Sequence, residues 1–345
     1  MLQTIKHSHF KLFLLLIFSI TLQSIAQNNN NTIDPYKFLH IIPNPNGTIT
    51  RIKQYYPVVP PNTSFDLSYS KDTLLNPIKN TWVRTYLPSN LNFTQPVKLP
   101  VILYVHGGGF ILLSAATPNF DRFCALMANR LSVIVVSVEY RLAPENRLPA
   151  AYEDVLDALY WLKDGNDDWV KSYGDVSECV LMGESAGGNI AYNVGLKASS
   201  LGDVFNPLII RGMVLIQPFF GGIDRSGSEL RLDKTGALRL VVTDLMWDMS
   251  LPIGTNRNYW YCNPFSGDEL VPVNRIQELG WRVAVVGCDG DPFFDRQVEL
   301  VEWLRKQGVI VRGSFSKGHF HGVFVNDYGV AEEFFEFVRS VFSQR

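Results

Sequence analysis

Apolar residues in this chain fall into short blocks, separated by longer stretches in which they recur every three or four positions. Val101–Val105, Val133–Val138, Cys179–Met182, Met213–Ile216 and Val283–Val286 are nearly continuous and rich in β-branched side chains. A strand with one face in water alternates apolar and polar residues. A continuous run is what a strand needs when both faces are covered, as in a parallel sheet. Trp82–Leu87, stopped by Pro88, predicts a further strand in front, and Val309–Phe315 is strand-like near the end. Between the blocks, Phe120–Leu131, Ala150–Leu162, Ala186–Ala198 and Asp295–Gln307 carry helical spacing, the last closed by Gly308. This alternation predicts an α/β fold with a mostly parallel central sheet and helices on both faces.

Two segments break the alternation. Residues 33–75 are turn-rich, with Pro43, Pro45, Pro57, Pro60 and Pro61. Residues 224–262 carry Leu238, Leu240, Val241, Leu245, Met246 and Trp247 at helix-like spacing. Open α/β sheets bind ligands outside the carboxyl ends of their strands. Both segments are therefore expected to form a cap there, with Trp247 and Phe219 in the pocket roof.

The N-terminus has a different character. Lys6, His7 and Lys11 precede the apolar stretch Leu12–Ile20, and Ser24-Ile25-Ala26 puts small residues at −3 and −1 before Gln27. That is the pattern of a secretory signal peptide over residues 1–26, cleaved after Ala26. The stretch is shorter than the roughly 20 residues of a membrane span, so no stable span is expected after cleavage. The expected address is secreted or endomembrane. N-glycosylation tripeptides begin at Asn30, Asn46, Asn62 and Asn92, all in the first hundred residues, which suits an exported glycoprotein. The remaining residues, 27–345, are enough for one domain with an added cap. With 46% hydrophobic residues, 19% charged and a net charge of −2, nothing in the chain invites nucleic acid. Cys124, Cys179, Cys262 and Cys288 are widely spaced, without a metal-ligand pattern, and are expected to be buried thiols.

The candidate chemistry follows the strand ends. Gly183-Glu184-Ser185-Ala186-Gly187 comes straight after the Cys179–Met182 block. Glycines at those two places allow a strand-to-helix turn too tight for side chains, with Ser185 at its tip. The Ala186 N–H then points where a carbonyl oxygen would become an oxyanion. His106-Gly107-Gly108-Gly109-Phe110 follows the Val101–Val105 block, and its glycines let backbone N–H groups reach a ligand. Gly107 and Gly108 are the expected donors, with Gly109 as the alternate. No Lys-Ser/Thr follows, so this is no Walker phosphate loop. A base for Ser185 must come from His319 or His321, and an acid from Asp289, Asp291 or Asp295; spacing alone leaves these choices open. His319 and His321 as a metal pair lack a third ligand cluster, and no cofactor is implied.

Several of these motifs occur together in one family. The chain resembles the plant carboxylesterases of the hormone-sensitive-lipase-like branch of the α/β-hydrolases. The resemblance covers about residues 33–343. It rests on His106–Phe110, Val138–Glu145 with Leu148–Tyr152, Gly183–Asn189, Gly290-Asp291-Pro292 with Asp295-Arg296-Gln297, and His321-Gly322. It implies an α/β-hydrolase fold with a cap, Ser185 as nucleophile, Asp291 as the acid and His321 as the base. Many relatives look cytosolic; the leader here is a departure. The expected activity is hydrolysis of a carboxylic ester of a small, moderately apolar metabolite, of the plant specialised kind, through an acyl-enzyme. The alternatives are a transacylase, lactonising or eliminating enzyme on the same site. A receptor-like small-molecule binder is a more distant one: the gibberellin receptor is similar to this family but has a changed histidine position.

Overall fold

The computed structural model describes residues 33–64, 67–91, 97–234, 238–267 and 273–342. The signal-peptide segment, Asn30 and Asn92 lie outside them. In chain order the elements are α1 (Pro35–Phe38), β1 (Ile41–Pro43), β2 (Ile49–Arg51), β3 (Ser68–Asn76), β4 (Thr81–Pro88), β5 (Leu99–Val105), α2 (Pro118–Leu131), β6 (Ile134–Glu139), α3 (Ala150–Lys163) and α4 (Asp168–Tyr173). There follow β7 (Gly174–Glu184), α5 (Ala186–Ser200), β8 (Ile210–Ile216), α6 (Gly227–Leu232), α7 (Leu240–Ser250), α8 (Asn274–Glu278), β9 (Arg282–Gly290), α9 (Phe294–Lys306), β10 (Ile310–Phe320), α10 (Val323–Asn326) and α11 (Tyr328–Phe342).

Eight strands form one sheet in the order β10-β9-β8-β7-β5-β6-β4-β3. From β6 to β10 every neighbouring pair is parallel; β4 alone runs against both its neighbours. The expected period of two is present but hidden, because each face has its own core. Val101, Leu103 and Val105 of β5 face a cluster with α3, α5 and α9, while Ile102 and Tyr104 face another with α2 and α11. Both faces being dry, the strand reads as a continuous apolar run.

Several elements were not predicted, among them β3 and the closing helix α11. The segment 33–75 was expected to be cap throughout, but Ser68–Asn76 is β3, the outer strand of the sheet. Its inward positions are taken by Ser68 and Ser70, so no apolar period marks it. Beside it on β4, Arg84 is buried between two carboxylates, with Nε 2.6 Å from Asp72 and a second nitrogen 3.0 Å from Asp121. The closing helix α11 packs Phe334 and Phe335 against Phe123 of α2, with ring centroids 5.9 and 5.5 Å apart. All four cysteines are buried and free. Among the described residues no helix is long and apolar enough to cross a membrane.

Both segments contact the loops that follow the strand ends. Arg51 at the end of β2 donates through Nε to the Ile111 carbonyl (2.6 Å) and through its terminal nitrogen to the Ala143 carbonyl (2.7 Å). It also pairs with Glu145 at 2.9 Å. These bonds fasten the N-terminal hairpin to the loops after β5 and β6. From the other segment, α7 lays Met246 and Trp247 on the loop after β5: a Cβ on Gly109 would meet Met246 Sδ at 2.3 Å, and the Trp247 ring lies 5.2 Å from Phe110.

Candidate active site

Five neighbouring strands end on one edge of the sheet, and each delivers a piece of the site there. In spatial order they present His321 after β10, Asp291 after β9, Gln217 after β8, Ser185 after β7 and His106–Gly109 after β5.

Ser185 sits on the tight turn expected from its flanking glycines. Its backbone is at φ 55° and ψ −118°, a strained conformation for a residue with a side chain. The turn is held on both sides: the Ser185 N–H donates to the Ile216 carbonyl (2.8 Å), and its carbonyl accepts from the Phe219 N–H (2.9 Å). The glycines are required by close approach. A Cβ on Gly183 would lie 2.1 Å from the Gly187 carbonyl oxygen, and one on Gly187 would lie 2.0 Å from that of Val105. Asn189, one turn into α5, is fully buried and pins two cap-bearing loops through Nδ2, to the Phe219 (3.0 Å) and Tyr261 (2.7 Å) carbonyls.

His321 Nε2 lies 2.9 Å from Ser185 Oγ, and His321 Nδ1 lies 2.9 Å from Asp291 Oδ2. A carboxylate can only accept, so Nδ1 carries the proton and Nε2 is left to accept from the serine. Burial opposes the charged imidazole. The Asp291 carboxylate, by charge and hydrogen bond, outweighs it with help from Glu184, and His321 is held above the ordinary histidine pKa. Asp291 is fully buried and saturated: Oδ1 accepts from the Phe293 N–H (2.9 Å), and Oδ2 accepts also from Gln297 Nε2 (2.8 Å). The other sequence candidates are occupied elsewhere. Asp289 accepts from the Gly318 N–H and Asp295 from the Ser228 N–H, each at 2.7 Å. His319 is not among the hydrogen-bonded partners of Ser185.

The glycine loop lies across from this line. Gly108 is at φ 112°, and a Cβ on Gly107 would lie 2.1 Å from Glu184 Oε2. Among the described residues neither the Gly107 nor the Gly108 N–H has a protein acceptor. The Ala186 N–H belongs to the first turn of α5, where helix geometry provides no partner. The loop is shaped from behind by Tyr140, whose hydroxyl donates to the His106 carbonyl (3.0 Å), and by His106 Nδ1–H, which donates to the Gly107 carbonyl (2.8 Å). Burial pushes the His106 pKa down to about 4, so the ring is neutral. Phe110, Phe219 and Trp247 stack into a buried aromatic wall that Phe293 extends to the edge of the His321 ring.

Three residues of this site escaped sequence reasoning. Glu184 is buried with one oxygen 3.7 Å from His321 Nε2; burial, and secondarily the Asp291 charge, push its pKa up to about 7. Gln217 and Gln297 are fully buried. The only signal for Gln217 was a lone amide closing the apolar block Met213–Ile216; Gln297 belongs to the motif Asp295-Arg296-Gln297 that carries the resemblance, but its bond to Asp291 was not read from it.

Comparison with known proteins places the chain in a family. The family model described as the α/β hydrolase fold matches residues 102–325. Carboxylesterase 20 of Arabidopsis thaliana is 45% identical over 300 residues, covering 85% of this chain and 92% of the relative. The 3-O-acetylpapaveroxine carboxylesterase CXE1 of Papaver somniferum is 42% identical over 314 residues, covering 88% and 95%. Among solved structures, the hyperthermophilic esterase of Pyrobaculum calidifontis superposes with a TM-score of 0.66 at 26% identity, over 79% of this chain and 85% of that one. The chain belongs to the α/β-hydrolase fold family and, within it, to the plant carboxylesterases.

Proposed function

We propose that the protein hydrolyses a carboxylic ester of a small, moderately apolar metabolite, with Ser185 as nucleophile. What supports this above all is the line Ser185 Oγ, His321, Asp291 Oδ2, with 2.9 Å at both hydrogen bonds. Ser185 Oγ attacks the ester carbonyl while His321 Nε2 takes its proton. Asp291 holds the imidazole in the receptive tautomer and stabilises the imidazolium. The carbonyl oxygen, now an oxyanion, is met by the N–H groups of Gly107, Gly108 and Ala186. His321 returns the proton to the leaving alcohol, and water repeats the sequence on the acyl-enzyme to release the acid. The wall of Phe110, Phe219, Trp247 and Phe293 favours an apolar substrate body. The name of the Papaver relative makes acetyl a sensible first acyl group to try.

Hydrolysis of p-nitrophenyl esters from acetate to octanoate tests the reading, with product analysis in the presence of an acceptor alcohol. Turnover that falls to background in Ser185→Ala and His321→Ala is expected; unchanged turnover in either variant contradicts it.

The leader pattern of residues 1–26 and the exposed positions of Asn46 and Asn62 support export with glycosylation. An expressed full chain is expected in the medium or endomembranes with a mobility shift on N-glycosidase treatment. A cytosolic, unshifted chain overturns this.

A further inference from the structure

The histidine loop is weakly held by the sheet. After Ser316 the ladder between β10 and β9 breaks and resumes only at Phe320 opposite Gly290. Lys317, Gly318 and Phe320 are exposed, and Gly322 turns away at φ 86°. Asp289 holds the Gly318 N–H and Asp291 holds the imidazole ring, but the backbone immediately on either side of His321 needs a fixing point of its own.

One side chain provides it. Gln217 is fully buried at the end of β8 and takes a positive φ of 43° without being glycine. Its Oε1 accepts from the Gly322 N–H at 2.8 Å, and its Nε2 donates to the Phe320 carbonyl at 3.3 Å, with Cys288 Sγ a further 3.2 Å neighbour. The two peptide groups flanking His321 are thus both tied to a single amide, which replaces the missing ladder. The backbone completes the frame: the Gln217 N–H donates to the Val286 carbonyl of β9 (2.7 Å), and the adjacent Ile216 carbonyl accepts from the Ser185 N–H (2.8 Å). The same two residues therefore hold the nucleophile turn on one side and the histidine loop on the other.

We infer that Gln217 is the positioning residue of the general base, an amide clamp that fixes the backbone on both sides of His321 relative to Ser185. The inference rests on the reading of His321 as that base. The strain at Gln217 fits such a role, since an unfavourable backbone conformation persists only where surrounding bonds over-determine it. Because His321 serves both half-reactions, loosening it slows acylation and deacylation together and leaves ground-state binding alone.

The test compares the parent, Gln217→Met, His321→Ala and the double variant. Met keeps the length and apolar stem but neither hydrogen bond. Rates with p-nitrophenyl acetate are normalised to folded protein, measured by absorbance and circular dichroism on each sample. Expected for Gln217→Met is a kcat loss of about 10²-fold, the size associated with an ångström-scale misplacement, with KM within about twofold. The downfield proton signal of the His321–Asp291 hydrogen bond should broaden. In the His321→Ala background Gln217→Met should add no further loss. If Gln217→Met yields no folded protein, Gln217→Glu, which keeps the acceptor for Gly322 but loses the donor to Phe320, takes the same readouts with the same expected direction. Parental kcat in the Gln217 variant with a dead His321→Ala overturns the clamp and leaves the base reading standing. An additive loss in the double variant also overturns it. Parental activity in His321→Ala overturns both.

Discussion

Replacing Asp291 by Asn changes one atom and reverses the logic of the site. Three N–H donors converge on the two Asp291 oxygens, from Phe293 at 2.9 Å, His321 at 2.9 Å and Gln297 at 2.8 Å. An asparagine offers one acceptor oxygen and one donating amide. With its oxygen toward Phe293, the amide faces His321 Nδ1 and Gln297. Gln297 can turn its own amide to accept, but His321 must then accept at Nδ1 and carry its proton on Nε2. That proton points at Ser185 Oγ, and the base cannot act. With the asparagine turned the other way, the buried Phe293 N–H is unpaired, at a cost of about 1–3 kcal/mol, and the imidazolium still lacks its counter-charge. Either way kcat/KM should fall by about 10⁴, roughly 5.5 kcal/mol of transition-state stabilisation. Side-chain volume is conserved, so Tm should change little. The assay is p-nitrophenyl acetate hydrolysis with circular dichroism on the same sample. A loss below tenfold in a folded Asp291→Asn variant would refute the reasoning.

Other residues make separate predictions. Glu184→Gln removes an anion that favours the imidazolium, so the acid limb of the kcat/KM–pH profile, set above the ordinary histidine value, should move to lower pH; no movement counts against that contact. Because burial pushes the Glu184 pKa up to about 7 in the folded chain, against 4.5 for a solvated glutamate, ionising it costs stability as pH rises between those values. The Tm advantage of Glu184→Gln should therefore be absent below about pH 4.5 and full above about 7. Asn189→Ala leaves the Phe219 and Tyr261 carbonyls unpaired in the interior, and should destabilise by about 2–4 kcal/mol by calorimetry. Gly187→Ala forces a Cβ to 2.0 Å from the Val105 carbonyl oxygen, a backbone atom with little room to yield, and should give little soluble, active protein; a near-parental Tm would contradict that geometry.

Much of this architecture was legible because physics writes it locally. Strands buried on both faces must be continuous apolar blocks, and all five such blocks became strands of the sheet, as did the segments around Trp82–Leu87 and Val309–Phe315. Turns that demand glycine announce themselves, as at Gly183, Gly187 and Gly108. Asp291 and His321 needed a family resemblance, since Asp289, Asp295 and His319 were equally well spaced along the chain. The illegible parts are those whose meaning is tertiary. Strand β3 turns serines inward because its neighbour buries Arg84 and threonines rather than a purely apolar face. Gln217 and Gln297 act through partners 105 and 6 positions away, and an amide carries no pattern that tells a clamp from a solvated side chain.

The central claim is that Ser185 is the activated nucleophile. Intact-mass analysis after exposure to a fluorophosphonate tests it most directly, since the serine oxygen displaces fluoride and the phosphonyl group stays bound. The account predicts one adduct per chain, mapped to Ser185, absent in Ser185→Ala and formed far more slowly in His321→Ala. A folded parent that takes no label, or a Ser185→Ala variant that labels at the parental rate, would contradict it.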